Sequence, residues 1–325
     1  MIYESSSADD QLMTSLRVKT WDNFHGQNSL KQALSIAMTA AKDRKETLDH
    51  LLLYGPPGLG KTTLAHLVAK EMDGNLLTSS GTALAKTGDL AAILTNLEAG
   101  DILFIDEIHR LGKPIEEMLY SVMEDFALDI VLGKGPSART VRLDLPAFTL
   151  VGATTRFGSL AGPLRDRFGL THRLQHYLPE ELVTIIDQAA KLLKVNPGPD
   201  SSLEIAKRSR GTPRIALKLL KRVRDVAQIQ GQTLVNPKLV HQALSMHKID
   251  AKGLTEGDRM FLELILNKHQ GGPVGLSTLA AALSEDPVTI EEVIEPYLLQ
   301  IGFLKKTPKG RVTSELAKSY LLSLQ

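Results

Sequence analysis

Apolar residues recur at helical spacing over 30–41 and then condense into a short unbroken run at 48–53 that stops at Gly55. The first pattern predicts an amphipathic helix and the second a strand buried on both faces. A glycine-rich segment follows, and then 62–72, where Leu64, Leu67 and Val68 share one helical face. Further apolar runs at 76–79, 102–105 and 148–152 alternate with helical stretches at 89–98 and 114–124. Continuous apolar strands alternating with helices predict an α/β fold with a parallel sheet covered on both sides. The segment 128–145 breaks this pattern. Two short alternating runs flank Gly133-Lys134-Gly135-Pro136, which predicts a β-hairpin inserted into the α/β core.

From 179 to about 247 the spacing is helical without strand signals, so a small helical domain is expected from 178. Within it, 207–224 carries eight basic residues and no acidic one, a charge run read mostly as a solvated helical face. Helices are then expected at 256–267, 276–283 and 288–301, followed by a ribbon at 303–313 closed by Thr307-Pro308-Lys309-Gly310. Three helices and a ribbon predict a winged helix-turn-helix. The expected organisation is a loose 1–15, a large α/β domain over 16–177, a helical domain over 178–250 and a winged helix over 251–325.

Composition changes this picture little. A chain of 325 residues with 43% hydrophobic content is long enough for two or three cores. A net charge of +1 neither demands nor excludes a nucleic-acid partner, so local patches must decide. Cysteine is absent, which excludes a disulfide framework and thiolate metal or redox sites and points to a reducing compartment. No run approaches the ~20 apolar residues of a membrane span, and the first ten residues are polar and acidic, unlike a secretory leader. A cytoplasmic location is expected.

The chemistry enters at 55–63, Gly-Pro-Pro-Gly-Leu-Gly-Lys-Thr-Thr. Gly55, Gly58 and Gly60 let the backbone curl so that successive N–H groups point inward, and the helix N-terminus adds to this anion cradle. Lys61 supplies a point charge for the β- and γ-phosphates and Thr62 a hydroxyl for Mg²⁺, with Thr63 next to it. The apolar strand 102–105 ends at Asp106-Glu107, where one carboxylate is placed to anchor the metal and the next to polarise water. His109 completes Asp-Glu-Ile-His, with a catalytic and a structural role both open.

The 55–63 loop together with Leu-Phe-Ile-Asp-Glu-Ile-His-Arg-Leu, Gly-Ala-Thr-Thr-Arg, Asp-Arg-Phe-Gly and Gly-Thr-Pro-Arg resembles the AAA+ ATPases. More narrowly, Gly-Lys-Gly-Pro-Ser-Ala at 133–138 and Gly-Gly-Pro-Val-Gly-Leu at 271–276 are similar to the RuvB family of bacterial Holliday-junction branch-migration motors, over 16–322. The resemblance implies Thr155 as a polar sensor of the γ-phosphate, with Thr154 and Thr155 both open to a plain role as strand-end hydroxyls. It implies Arg167 as an arginine finger offered to a neighbouring subunit, with Arg165 as rival, and Arg214 as a second sensor carried on the helical lid. For the adenine pocket it points to Leu16, Arg17, Tyr177 and Pro213. This sequence departs from the family pattern at Val18, where proline is usual, and at His25, where an aliphatic residue is usual.

In the last domain, 305–311 puts four cations on a tight turn suited to tracking phosphates. By family position Lys306 and Arg311 are the DNA contacts, and the acidic Glu291, Glu292 and Glu295 argue against a deeply inserted preceding helix. Leu128, Ile130, Leu132, Val141, Leu143 and Leu145 put apolar residues on both hairpin strands; packing on the protein's own core is one account, and the resemblance implies docking of a RuvA-like junction-binding partner. It also implies a homohexameric ring, ATP and Mg²⁺ as cofactors, a RuvC-like resolvase in the wider complex, and roles in recombination, repair and the SOS response. The alternatives are a clamp loader or replication initiator on the same ATPase core, or a protein remodeller.

Overall fold

The computed structural model describes residues 16–132 and 139–324. The expectations for 1–15 and for the hairpin turn at 133–138 lie outside the described residues. By its internal contacts the chain divides into two compact units, 1–185 with 212–214, and 186–211 with 215–325.

The first unit is built on a parallel sheet of β1 (Leu51–Tyr54), β2 (Leu76–Ser80), β3 (Ile102–Asp106), β6 (Thr149–Thr154) and β7 (Leu170–Arg173), in the order β2-β3-β6-β1-β7. Every pair is parallel. Leu51, Leu52 and Leu53 are buried without remainder, as is most of β3 and β6, which is why these strands read as unbroken apolar runs. The helices α1 (Asn28–Arg44), α2 (Lys61–Glu71), α3 (Thr87–Leu94) and α4 (Lys113–Asp125) fall within a few residues of the expected ones. β7 was not expected. Its Leu170-Thr171-His172-Arg173 sits at the sheet edge with alternating exposure, so it lacks the apolar run that marks its neighbours.

The expected hairpin forms from β4 (Ala127–Leu132) and β5 (Arg139–Asp144), paired antiparallel between α4 and β6. Leu128 and Leu145 are buried in the core of this unit, and Ile130 packs against it. Val141 and Leu143 are 46% and 39% exposed, so the hairpin's own core does not use them.

In the second unit the helices Pro199–Lys207, Pro213–Ile229 and Pro237–Met246 follow the predicted spacing, with Ala216, Leu219, Leu220, Val223 and Ala227 forming one buried stripe. Contrary to the expectation of helix alone, β8 (Asn196–Pro197) and β9 (Leu234–Val235) pair in parallel. Two residues each are too short to leave a periodic trace, and the pairing comes from loops meeting, with Gly198 N–H and Ser201 Oγ both donating to the Val235 carbonyl at 2.9 Å. The basic run 207–224 is also less solvated than its charge suggests. Arg208 and Arg210 are buried, Arg208 paired with Glu204 and Arg210 with Asp258.

The last segment contains helices at Glu256–Glu263, Leu276–Leu283 and Glu295–Gln300, then the antiparallel ribbon β10 (Leu304–Thr307) and β11 (Gly310–Thr313). Phe261, Leu279, Ile290, Leu298 and Phe303 build its core. Two wider π-turns, Leu264–Lys268 and Ile290–Ile294, interrupt the expected helices. The second precedes Pro296, which lacks the N–H an α-helical turn requires. A final helix, Glu315–Ser323, was not expected; Ser314 caps it through the Ala317 N–H, and Ala317 and Leu321 complete the core. Val274 bridges Arg311 and adds a third rung to the ribbon. Among the described residues no helix is long and apolar enough to cross a membrane.

Candidate nucleotide site

The strand order decides where the chemistry gathers. β6 lies between β1 and β3, so the ends of three adjacent strands deliver the 55–63 loop, Thr154-Thr155 and Asp106-Glu107 to one edge of the sheet. Gly55 N–H donates to the Thr154 carbonyl at 3.2 Å and ties the loop to that edge.

Gly58 and Gly60 both have positive φ, +78° and +104°. A β-carbon at Gly58 would lie 2.9 Å from the Thr212 methyl and 3.0 Å from Cβ of Arg214, so glycine is required there by space as well as conformation. The same approach brings Thr212 to Arg214 onto the loop, with Arg214 N–H near the Gly58 carbonyl at 3.4 Å. α2 begins at Lys61 immediately after Gly60, so its first amides lack intrahelical partners at the loop, and Thr62 and Thr63 lie in this first turn.

Lys61 is buried, and its Nζ donates to the carbonyls of Gly55 and Pro56 at 2.8 and 2.9 Å. Burial lowers its proton affinity below that of an ordinary lysine, and the charges of Asp106 and Glu107 oppose the loss. Asp106 closes β3, its Oδ1 accepting the Glu107 N–H at 2.9 Å. A hydroxyl at Thr62 and a carboxylate at Asp106 are hard oxygen donors of the number Mg²⁺ takes from a protein when phosphates supply the rest.

Glu107 adopts a left-handed backbone, φ 48°, that carries the chain into the short turn Ile108–Arg110. The structure separates the two strand-end threonines. Thr155 Oγ1 donates to Glu107 Oε2 at 3.3 Å. Thr154 is fully buried and lies 2.9 Å from Nδ1 of His109 while accepting the Arg156 N–H at 2.9 Å. The same Nδ1 is 3.3 Å from Glu107 Oε2. The link from His109 to Thr154 was not legible in the sequence, because it joins residues 45 positions apart, one in the turn after β3 and one at the end of β6.

Of the residues expected to hold adenine, Tyr177 is buried and donates its hydroxyl to the Leu59 carbonyl at 3.2 Å. Burial pushes that hydroxyl's pKa upward. Its ring packs where a β-carbon on Gly26 would stand. Leu16 is buried, and Arg17 reaches His66 on α2 at 3.3 Å. The entry segment is anchored despite Val18: Gln27 exchanges two hydrogen bonds with the Gln175 backbone, at 2.6 and 3.1 Å, and Lys70 Nζ caps the Lys19 carbonyl. Phe24, which the sequence did not single out, packs under Gly60. Pro213 sits between Thr212 and Arg214, the two residues that touch Gly58.

Arg167 is not brought to this cluster. Its guanidinium stacks over Tyr120 at 4.6 Å, pairs with Glu124 at 3.0 Å and donates to the Pro163 carbonyl at 2.7 Å. Arg165 lies over Phe157 at 5.3 Å, and Phe157 stacks on Tyr54 at the end of β1.

In the winged domain Lys306 and Arg311 lie on facing ribbon strands. Arg311 Nε donates to Glu295 at 2.6 Å and its terminal nitrogen to Glu291 at 2.9 Å, while Lys306 reaches the same two carboxylates at 2.5 and 3.8 Å. Glu295 is fully buried, so these cations hold a buried charge; the Lys306 side chain is 45% exposed and that of Arg311 only 14%. Lys305 and Lys309 are exposed.

Three family models match the chain in order: the P-loop domain of the Holliday junction DNA helicase RuvB over 16–174, the RuvB AAA lid domain over 177–250, and the RuvB C-terminal winged helix domain over 251–322. Among solved structures, the RuvB Holliday junction branch migration motor of Thermotoga maritima is similar at 50% identity, covering 94% of this chain and 98% of that one, with a TM-score of 0.85. A point mutant of Thermotoga maritima RuvB is similar at 51% identity over 95% of this chain and 98% of that one, with a TM-score of 0.86. With its loop, strand-end acids and strand-end threonines on one sheet edge and this similarity along nearly its whole length, the chain belongs to the RuvB family of AAA+ P-loop ATPases.

Proposed function

We propose that this protein is an ATP-driven DNA motor that moves the branch point of Holliday junctions during recombination and repair, drawing duplex DNA through a homohexameric ring. The observation that carries this is the meeting of the phosphate loop, Asp106-Glu107 and Thr155 on one sheet edge, in a chain whose three matched segments follow the order of RuvB.

In this account the loop amides and Lys61 hold the β- and γ-phosphates, so Lys61 exchanges the Gly55 and Pro56 carbonyls for phosphate oxygens. Leu16, Arg17, Tyr177 and Pro213 hold the base. Thr62 and Asp106 hold Mg²⁺, which neutralises charge on the phosphates when bound. Glu107 takes up the proton of the attacking water, and Thr155 senses the γ-phosphate from beside it. Arg214, seated against Gly58, reports the nucleotide to the lid. Arg167 serves the site of a neighbouring subunit. On its own chain it rests on Tyr120 and Glu124, contacts it exchanges for the neighbour's phosphate.

The wing contacts DNA phosphates through Lys306 and Arg311, without base reading. The hairpin 128–145 docks a RuvA-like junction-binding protein through Val141 and Leu143, in a complex that also admits a RuvC-like resolvase. The setting is the bacterial cytoplasm, with induction in the SOS response. The test is conversion of a synthetic four-way junction to two duplexes by this protein with a RuvA-like partner. Conversion should require hydrolysable ATP. Stimulation of hydrolysis by a sliding clamp, or by an unfolded protein without DNA, would overturn the assignment.

A further inference from the structure

We infer that His109 is a positioning residue for ATP hydrolysis, fixing the carboxylate of Glu107 through an Nδ1–H donor; this rests on Glu107 as the base that takes the water's proton. The left-handed backbone at Glu107 folds the chain back, so that the side chain two residues later returns alongside it. His109 is 6% exposed, and its Nδ1 stands 3.3 Å from Glu107 Oε2 and 2.9 Å from Thr154 Oγ1. A lone pair on Nδ1 would face the carboxylate oxygen, whereas an N–H there is attracted to it, so the 3.3 Å approach favours the tautomer with the proton on Nδ1. Thr154 fits either tautomer, because its hydroxyl can donate as well as accept, and it is the carboxylate that favours the N–H. The Thr154 oxygen is fully buried on the sheet edge and already accepts the Arg156 N–H, fixing the atom against which the imidazole rests.

Glu107 Oε2 is therefore approached from opposite directions in the chain: by the Thr155 hydroxyl just past β6 and by the imidazole from its own turn. Both contacts are 3.3 Å, at the long end for hydrogen bonds, which directs the carboxylate without locking it. Because Thr155 and Thr154 are consecutive, any shift of that strand end on sensing the γ-phosphate moves both the direct donor and the support of the second. His109 thereby links the sensor strand to the base.

The test compares His109→Ala, His109→Asn and His109→Asp with Glu107→Gln. Asparagine places an N–H₂ donor close to the Nδ1 position, and aspartate places an acceptor there. The expected result is about a tenfold loss of kcat in His109→Ala with KM changed less than twofold, most of that loss restored in His109→Asn, and none in His109→Asp. In the protein labelled with ¹⁵N-histidine, before any nucleotide is added, the His109 resonance should report a protonated Nδ1 and should move in Glu107→Gln. Full kcat in His109→Ala, equal losses in the alanine and asparagine variants, or an unprotonated Nδ1 would overturn the inference. Near-normal hydrolysis in Glu107→Gln would instead remove Glu107 as the base, a different failure. If His109→Ala does not fold, the asparagine and aspartate pair and the resonance still decide.

Discussion

Single side chains in this protein do unlike work with like chemistry, and their surroundings determine which. Lys61 is a buried ammonium satisfied by two loop carbonyls, poised to exchange them for a stronger anionic acceptor. Lys61→Ala should lower kcat/KM for ATP by about 10²-fold or more, read by steady-state hydrolysis. Arg167→Ala should bind a fluorescent ATP analogue normally yet hydrolyse ATP about 10³-fold more slowly. Mixed with Lys61→Ala subunits it should regain activity, since each defect then sits in a different half of a shared site; no rescue at any ratio would place Arg167 elsewhere. His50 is purely structural. It accepts the Leu150 N–H at Nδ1, at 2.9 Å, and meets the Met123 carbonyl at Nε2, at 3.1 Å, between Phe126 and Phe148. Burial lowers its pKa, so the folded state favours the neutral ring and the unfolded state binds the proton more readily. Its stabilisation is therefore complete above the ordinary histidine value of about 6.5 and is lost as pH falls below it. Denaturant melts should show stability falling from pH 7 to pH 5, with a flatter profile in His50→Gln, which should itself cost about 1–3 kcal/mol at pH 7.

At the scale of elements, the hairpin carries apolar side chains that its core does not need, and the wing carries cations already paired with Glu291 and the buried Glu295. Val141→Ser with Leu143→Ser should leave basal hydrolysis unchanged and abolish stimulation by a RuvA-like partner; retained stimulation would move the docking surface elsewhere. In the wing, Arg311→Ala should reduce the slope of log affinity against log salt by about one, because one phosphate contact is lost. Glu291→Gln should do the reverse and tighten DNA binding, since it removes a competing carboxylate from the same guanidinium.

These elements also show what the sequence made legible. The buried strands, the phosphate loop and the inserted hairpin could be read because burial on both faces and glycine-dependent turns leave local signatures. β7 and the final helix Glu315–Ser323 could not, because an edge strand of four residues and a short helix leaning on a distant core leave weak ones. Nor could the carboxylates under Lys306 and Arg311, or Thr154 beneath His109. Those pairings are made by topology between separate segments of the chain: the sequence showed the wing's cations and Glu291 and Glu295, but not that they meet.

Across the whole molecule, the nucleotide chemistry is gathered in the first unit together with Thr212 to Arg214, while the winged helix belongs to the second. Arg214 leans on the phosphate loop and also starts the helix Pro213–Ile229, most of which folds with the second unit. In the proposed motor, this segment is where a change at the phosphate loop would enter the helix that continues into the second unit. The most direct measurement is the ATP hydrolysis rate of the full chain with a RuvA-like partner, with and without a synthetic four-way junction. The account predicts that junction and partner together raise the rate well above either alone, in step with branch migration. A rate indifferent to the junction, with the partner bound, would contradict it.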